Sequence, residues 1–436
     1  MRSLSVRLPP HPRTAARARY VLDWLEQHPY SAQRVRFHAV DDAEQVDVDL
    51  GVLTGKTAWL SAPPHAPKLA QTLSALPPAR VRSGAEWVYG LGPRRADRLR
   101  SATGTYAFDW VATLFAWLAR WEEQAGHRAS ASPPPPSAQW LVRHRLEREP
   151  RADRLAAALL AEWGLPVQLE ASRVQLTHDL DHVRCFAQPW APLRHAAYVA
   201  RRGAGPRALG PMLSSAVSSW TGRSSDPFDN PDRTLGAGGA VLFLLLGRHV
   251  RRDGGRDRSD ARLRPWIEAA RAAGYQLGLH PSFTTPEHPE RIIAERERFV
   301  RLVGEPPRLS RQHFLRWSWS RTPDALTEAG IETDSTLGFR DRLGFRCGTS
   351  FPYRLYDFTR EAAGELTERP LAAMDTAWLE ANDYDAEACA ADWADFTTRN
   401  DAGADLVLNV HNSTFIHADL AGIDLAAWYR FAGDRS

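Results

Sequence analysis

The chain has 436 residues, of which 25% are charged and 43% are hydrophobic, and its formal net charge is only +3. This composition is typical of a soluble globular protein, and the length allows two or three domains. The basic residues are almost all arginine and are spread along the chain, so we expect no nucleic-acid partner. Cys185, Cys347 and Cys389 lie far apart, which argues against both a disulfide framework and a thiolate zinc site.

No segment of the sequence predicts a membrane span or an export signal. Residues 1–10 are basic but lack the continuous apolar stretch of a signal peptide. The longest apolar run, at 240–246, is far shorter than the roughly 20 residues that cross a bilayer. We therefore expect a cytoplasmic protein.

The first part of the chain, residues 1–140, predicts a small α/β domain of unknown role. A linker or exposed loop is predicted at 129–137, which contains four consecutive prolines. Helical periodicity then resumes, so connecting helices are predicted over 141–171. The elements predicted within the first domain are helices over 17–27 and 107–123 and short strands over 35–40, 46–50 and 58–60.

Strand and helix patterns alternate from Val174 onward, within a second domain predicted to span 172–436. This alternation is typical of a parallel sheet that is either open or closed into a barrel. A helical insertion is predicted over 183–236. The later strands are predicted at 240–246, 275–280, 309–317, 331–336, 369–375 and 406–411.

Chemically active side chains recur at the carboxyl ends of these strands. The first strand runs into Thr177-His178-Asp179-Leu180-Asp181-His182, in which four side chains can ionise or bind a metal. Because the carboxyl ends of parallel strands open on one edge, we expect these side chains to converge on an active site. The later strands end at His280, at Arg311 with His313, at Asp334, at Asp375, and at His411 with Asn412.

This ordered set resembles the polysaccharide deacetylase family of carbohydrate esterases. The matching motifs are Thr-His-Asp-x-Asp at 177–181, Gly-Leu-His at 278–280, Arg-Gln-His at 311–313 and a late strand that ends in His411. The apolar segment 240–247, which ends in glycine, resembles the second strand of that family. The first part of the chain resembles a poorly characterised domain that precedes some bacterial members. The resemblance implies a distorted (β/α) barrel with a smaller N-terminal α/β domain.

The resemblance also implies a hydrolase that uses one divalent metal ion to remove the acetyl group from an N-acetylated sugar. Asp179 matches the catalytic base of the family, Arg311 matches the arginine that pairs with that base, and His411 matches the general acid. His280 matches the first metal histidine. Zinc is the expected ion, with cobalt or manganese as alternatives.

Two departures from the family pattern leave alternatives open. The usual adjacent aspartates are separated here, so Asp181 must supply the metal carboxylate, and the roles of Asp179 and Asp181 could be exchanged. The family's second metal histidine lies four residues after the first, where this sequence has Thr284. His313 could replace it, so the preferred metal set is Asp181, His280 and His313.

Four further polar residues are expected to support the site or to bind substrate. They are His178, His182, Asp334 and Asn412. A histidine next to a metal carboxylate commonly orients the ligands through a hydrogen bond rather than binding the ion itself.

The expected substrate is an acetylated amino sugar in polysaccharide or glycoconjugate biosynthesis. The sugar could belong to a polymer or be attached to a lipid carrier or a nucleotide. Two other functions stay open: a hydrolase of another carbon–nitrogen amide bond, and a catalytically inactive carbohydrate-binding protein, which Thr284 would favour. The presence of a base, its arginine and an acid argues against the inactive alternative.

Overall fold

The computed structural model describes residues 2–30, 35–40, 46–50, 78–83, 86–91, 95–96, 99–100, 106–126, 139–186, 189–199, 209–224, 226, 228, 231, 235, 239–247, 251–253 and 259–435. The strand predicted at 58–60 and the linker predicted at 129–137 lie outside these residues. The chain forms two compact units, the first made of 1–170 with 345–368 and the second of 171–344 with 369–436. The predicted connecting helices thus fall within the first unit.

The described part of the first unit contains two small sheets and several helices. One sheet has the parallel order β2-β1-β3, and in the other β4 pairs with β5 antiparallel and with β6 parallel. The elements are β1 (Arg2–Arg7), α1 (Pro12–Gln27), β2 (Val35–Ala39), β3 (Val48–Asp49), β4 (Pro78–Ser83), β5 (Glu86–Leu91), β6 (Arg95–Ala96), α2 (Trp110–Leu118), α3 (Trp121–Gly126), α4 (Trp140–Arg143) and α5 (Arg151–Glu162).

The single helix predicted over 107–123 is divided into α2 and α3. Asp109 caps α2 by accepting a hydrogen bond from the Ala112 backbone N–H at 2.8 Å, and every residue of α2 is buried. The division falls at Arg120, whose φ of 48° is incompatible with a continuous helix. That conformation accompanies a buried ion pair between the Arg120 guanidinium and Glu123 at 2.7 Å.

The second unit contains a row of seven parallel strands. Its elements begin with β7 (Arg173–Leu180), α6 (Ala191–Val199), α7 (Leu209–Trp220), β8 (Gly239–Leu245), α8 (Asp260–Ala272), β9 (Gln276–His280), α9 (Glu290–Val303), β10 (Leu309–Ser310), α10 (Thr322–Glu328) and β11 (Thr333–Asp334). The hairpin β12 (Tyr353–Asp357) and β13 (Ala362–Glu368) belongs to the first unit. The second unit ends with β14 (Leu371–Met374), α11 (Asp375–Ala381), α12 (Ala386–Arg399), β15 (Asp405–His411), α13 (Thr414–Ala421) and α14 (Ala426–Gly433).

The seven strands lie in the order β11-β10-β9-β8-β7-β15-β14, and every neighbouring pair is parallel. The prediction of an α/β fold with a parallel sheet is therefore confirmed. Because the strands are parallel, their carboxyl ends share one edge of the sheet, where ligands of α/β proteins commonly bind.

Two strands are much shorter than the sequence predicts. Within the ranges 309–317 and 331–336, only Leu309–Ser310 and Thr333–Asp334 form strands. After Ser310 the chain enters a short 3₁₀ helix, His313–Leu315, in which Phe314 has a φ of 60°. A residue in that left-handed region cannot continue a strand.

Gly247, at the end of the apolar segment after β8, allows a close approach between chain segments. A Cβ atom at this position would lie 2.3 Å from the Ser282 Cβ and 2.5 Å from a Glu295 carboxylate oxygen. Glu295 accepts hydrogen bonds from both the backbone N–H and the hydroxyl of Ser282. The glycine therefore makes room for the loop that follows β9.

Segment 345–368 is tied into the first unit by buried charges. Glu123 accepts hydrogen bonds from Arg346 at 2.7 and 2.9 Å and from Arg120 at 2.7 and 3.0 Å. Burial alone would raise the pKa of Glu123, but the two guanidiniums outweigh it and hold the pKa at about 2. Asp153 similarly accepts hydrogen bonds from Thr349 and from the backbone and hydroxyl of Ser350.

Replacement of Glu123 by glutamine should strongly destabilise the first unit. The variant removes the carboxylate that the buried Arg120 and Arg346 guanidiniums share, and loss of one partner of a buried pair costs about 3–5 kcal/mol. Urea unfolding followed by tryptophan fluorescence measures the change. Asp23→Asn is the matched control, since Asp23 lies 3.9 Å from Arg19 in a more exposed i,i+4 pair; its effect should stay below about 0.5 kcal/mol. Equal effects for the two variants would contradict the prediction.

Candidate active site

Four strands deliver ionisable side chains to the carboxyl edge of the parallel sheet. Asp179 lies near the end of β7 and Asp181 follows it, His280 is the last residue of β9, and His411 is the last residue of β15. Arg311 and His313 follow β10. The structure therefore brings together the six residues that the sequence predicts as catalytic or metal-binding, as the distances below show.

Asp179 is a buried carboxylate held on both oxygens. Its Oδ1 accepts a hydrogen bond from Arg311 at 3.0 Å, and its Oδ2 accepts one from the Asn409 amide at 2.8 Å. Burial acts to raise the pKa of Asp179, but Arg311, His280 and His411 outweigh burial and keep that pKa below its usual value. Asp179 is therefore an anion of fixed orientation.

Arg311 is fully buried, and each of its three guanidinium nitrogens donates a hydrogen bond. Its Nη1 donates to the Thr177 hydroxyl at 2.9 Å and to the Asn409 side-chain amide oxygen at 2.7 Å, in addition to Asp179. Its Nε and Nη2 donate to the backbone oxygen and the hydroxyl of Ser335, each at 3.0 Å. The guanidinium carbon also lies 4.5 Å from the centre of the Phe243 ring. A planar donor satisfied in this way has one orientation.

Asp181, His280 and His313 form a metal-capable group, here called the metal-binding set. One ligand atom from each lies within 4.8 Å of the other two. His280 Nε2 is 3.3 Å from one Asp181 oxygen, and His313 Nε2 is 3.5 Å from the other. The set combines the imidazole and carboxylate donors that divalent zinc, cobalt and manganese accept.

The hydrogen bonds around His280 support its assignment as a ligand. Its Nδ1 lies 2.5 Å from the Arg311 carbonyl oxygen, which can only accept, so Nδ1 carries a proton. Within the described residues, His280 Nε2 and the facing Asp181 Oδ1 are buried without a hydrogen-bond partner. In a neutral His280 the Nε2 lone pair faces this carboxylate oxygen, an arrangement that a divalent metal ion between the two atoms would satisfy, so these residues fit such an ion.

The metal-binding set contains His313 and not Thr284. The Thr284 hydroxyl accepts a hydrogen bond from Arg291 and is not part of the metal-binding set. His313 instead faces Asp181 through Nε2, and its Nδ1 lies 3.5 Å from the buried Asp253 carboxylate. A carboxylate behind a ligating histidine is a common means of fixing the ring orientation.

His411 belongs to a second carboxylate–imidazole pair. Its Nδ1 lies 2.7 Å from Asp375 Oδ1, and its backbone N–H donates to the other Asp375 oxygen at 2.7 Å. Its Nε2 lies 3.7 Å from oxygens of both Asp179 and Asp181. Burial lowers the pKa of His411, but Asp375 and the two other aspartates outweigh it and raise the pKa to about 10. The imidazole is therefore protonated at neutral pH.

One of the predicted supporting residues, His178, lies apart from this cluster. His178 points to the opposite face of β7, where its ring lies between Tyr275 and Tyr429 at 5.7 and 5.9 Å. Strand alternation explains this placement, because Asp179 occupies the site face. Burial lowers the pKa of His178 to about 4, so it is a neutral core residue.

The other three predicted supporting residues take part in hydrogen bonds that fix loops near the site; they are Asn412, His182 and Asp334. The Asn412 amide donates to the backbone oxygens of His182 and Phe228 at 2.5 and 3.2 Å. Asp334 is buried, and it accepts hydrogen bonds from the Ser310 hydroxyl and the Thr336 backbone N–H. It therefore braces β10 and the loop that carries Ser335, rather than facing the metal-binding set.

Asn409 and Asp253 contribute to the site, although sequence reasoning did not select either. Asn409 lies inside the apolar strand β15, where a buried amide is unusual and could have served as a signal. Asp253 lies in a polar stretch between β8 and α8, which offers no periodicity to interpret. Its proximity to His313 is visible only in three dimensions.

Comparison with known proteins identifies no family and a distant structural similarity. No protein-family model matches the chain, and no curated protein matches it. A solved structure from Mycobacterium smegmatis, named a "putative polysaccharide deacetylase", is similar over 61% of this chain and 91% of its own, with 15% identity and a TM-score of 0.31. Likeness at this level does not establish a shared function. None of the described helices has the length and apolarity needed to cross a membrane.

The buried Asp334 carboxylate should make stability depend on pH in a way that Asp334→Asn removes. Burial raises the pKa of Asp334 to about 6 despite its hydrogen bonds. The folded state therefore favours the protonated acid, and this contribution is present at pH 4 and is lost as the pH rises through 6. The unfolding free energy of the asparagine variant minus that of wild type should therefore increase by about 2–3 kcal/mol from pH 4 to pH 7, because only the wild type loses this contribution.

Urea unfolding of both proteins across this pH range provides the measurement. Because the other titrating groups are common to the two proteins, their contributions cancel in the difference. A difference that is constant with pH would show that Asp334 ionises normally in the folded protein.

Proposed function

We propose that this protein is a divalent-metal-dependent hydrolase that removes the acetyl group from an N-acetylated amino sugar. The observation that carries the proposal is the convergence of a fixed carboxylate, a metal-capable set and a protonated imidazole at one sheet edge. The sequence resemblance to polysaccharide deacetylases supports the choice of substrate. The proposed fold is accordingly the distorted barrel of that family.

The metal-binding set would hold the ion. When bound, a divalent ion polarises the amide carbonyl and lowers the pKa of water. Zinc is the preferred ion because it binds imidazole and carboxylate ligands in catalytic sites that keep a position open. Asp253 supports His313, and the Arg311 backbone oxygen supports His280.

Asp179 is the proposed general base. It stays ionised because Arg311 and Asn409 donate to it, and it lies 3.7 Å from His280 Nε2, next to the metal-binding set. A carboxylate in this position accepts the proton of the attacking water. Arg311 and Asn409 hold the two oxygens so that the carboxylate needs no reorientation during the reaction.

His411 is the proposed general acid. Its Nδ1 is engaged by Asp375, so the proton on Nε2 is directed toward the space beside Asp179 and Asp181. Amide hydrolysis expels an amine, which leaves only when its nitrogen is protonated. An imidazolium stabilised by Asp375 supplies that proton, while Asp179 holds the one taken from water.

The alternatives differ in substrate or in activity. Hydrolysis of another carbon–nitrogen amide would use the same base, acid and metal-binding set, so only substrate tests separate it from sugar deacetylation. The inactive carbohydrate-binding alternative loses its main support, because His313 supplies the ligand that Thr284 lacks. We therefore favour an enzyme.

Removal of one ligand should abolish stoichiometric metal binding. We expect wild-type protein loaded with zinc to hold one ion per chain, and His280→Ala and His313→Ala to bind zinc more than about a hundredfold more weakly, since even outer partners of metal ligands contribute about 10–100-fold. Elemental analysis and calorimetric titration measure the binding. Thr284→Ala is the matched control and should bind normally. A wild-type protein that takes up none of zinc, cobalt or manganese would overturn the mechanism.

Asp179→Asn should remove activity while leaving metal binding intact. Loss of a general base slows the reaction about a hundredfold or more. Acetate release from N-acetylated amino sugars, measured beside metal content, gives both readouts. Asp181→Asn is the comparison variant and should lose the metal. If Asp179→Asn loses the metal and Asp181→Asn keeps it, the roles of the two aspartates are exchanged.

A further inference from the structure

Two phenylalanine rings lie beside the metal-binding set. The Phe314 ring is 4.6 Å from the His313 ring, which itself lies 5.1 Å from the His280 ring. Phe283 packs edge-to-face against Phe314 at 5.4 Å. The mechanism proposed above uses neither phenylalanine.

The backbone at Phe314 is strained. Phe314 and the next residue, Leu315, have φ angles of 60° and 49°, which non-glycine residues rarely adopt. His313 and Leu315 are buried, whereas Phe314 is 37% exposed. The strained turn thus places one aromatic ring outward between two buried side chains. Strain of this kind tends to be retained where it serves a function.

Two arginines flank these rings. The Arg252 guanidinium lies 4.6 Å from the centre of the Phe283 ring, and the Arg340 guanidinium lies 4.9 Å from that of Phe314. Both side chains belong to exposed residues. In the described part of the chain, neither guanidinium has a carboxylate within ion-pair distance.

A third arginine lies on this surface, but its charge is paired. Arg316 lies 4.0 Å from the centre of the Phe283 ring, and it is paired with Glu287. Partial burial, with repulsion from Arg252 and Arg316, lowers the pKa of Arg340, although Glu380 and Asp341 act in the opposite direction. Among the described residues, this surface therefore presents two cations that form no ion pair, next to an exposed aromatic ring and the metal-binding set.

We propose that the substrate carries a phosphoryl group, which Arg252 and Arg340 bind while the sugar ring packs on Phe314. This inference rests on the proposed function, because it places the acetylated sugar at the metal-binding set. Guanidinium groups bind phosphate oxygens through paired hydrogen bonds. A phosphate monoester carries a charge of about −1.5 to −2 at neutral pH, which matches two free guanidiniums, whereas a carboxylate requires only one. Phosphorylated, nucleotide-linked and lipid-linked sugars share this chemistry.

The test compares the double variant Arg252→Gln/Arg340→Gln with wild-type protein. The probes are N-acetylglucosamine 1-phosphate and the neutral methyl glycoside of N-acetylglucosamine. The ratio of kcat/KM for the phosphorylated probe to that for the neutral probe should fall about tenfold or more in the double variant, which is the loss expected for a charged hydrogen bond. Arg308→Gln is the matched control, because Arg308 is exposed at the start of β10 and pairs with Glu332. It should leave the ratio unchanged.

Binding of inorganic pyrophosphate, measured by calorimetry, separates the two proposals. If no acetylated sugar is hydrolysed but pyrophosphate binding depends on Arg252 and Arg340, the proposed function fails and the phosphoryl site stands. If both probes lose activity equally in the double variant, the phosphoryl site is overturned. A carboxylate probe, an N-acetylated aminouronate, that shows the same dependence as the phosphate would overturn the phosphoryl assignment.

Two further variants guard against a folding defect. The single variant Arg340→Gln changes an exposed side chain and should lower the ratio by itself. Arg252→Lys/Arg340→Lys keeps the charge and should restore part of the ratio. Nucleotide-linked and lipid-linked acetylglucosamine then identify the source, since the natural carrier should show the larger dependence on the two arginines.

Discussion

The site depends on one buried guanidinium. Arg311 has no exposed surface, and a charge removed from water in this way is tolerated only when its donors are satisfied. Its partners are Thr177 and Asp179 from β7, Asn409 from β15, and Ser335, which follows β11. One side chain therefore connects the first and the last strands of the second unit along the chain. The same residue fixes His280 through its backbone oxygen. Asp179 and the metal-binding set are thus held by the same residue.

Much of this edge of the sheet could be predicted from the order of residues alone. Strands that alternate with helices pair in parallel, and their carboxyl ends then coincide, so Asp179, His280, Arg311 and His411 had to meet. The prediction needed the strand type and the strand end but no exact length. The short lengths of β10 and β11, two residues each, therefore do not prevent these side chains from meeting.

Other parts of the site depend on contacts that no local pattern encodes. Asp253 reaches His313 from an irregular segment, and the two residues are 60 positions apart in sequence. The outward placement of Phe314 follows from a left-handed turn that a bulky residue does not signal. His178 shows the reverse problem, since a histidine adjacent in sequence to two candidate site aspartates suggests a functional role. Alternation along β7 instead directs it into the core.

The return of segment 345–368 to the first unit has a consequence for synthesis on the ribosome. Glu123 and Asp153 are made early, but the residues that neutralise or cap them, Arg346 and Ser350, are made about two hundred positions later. The first unit therefore cannot reach its final form by the domain-by-domain order that vectorial synthesis favours. Its nascent part must wait, partly folded, while most of the second unit emerges. Truncation after Glu170 would remove Arg346 from Glu123, and Thr349 and Ser350 from Asp153.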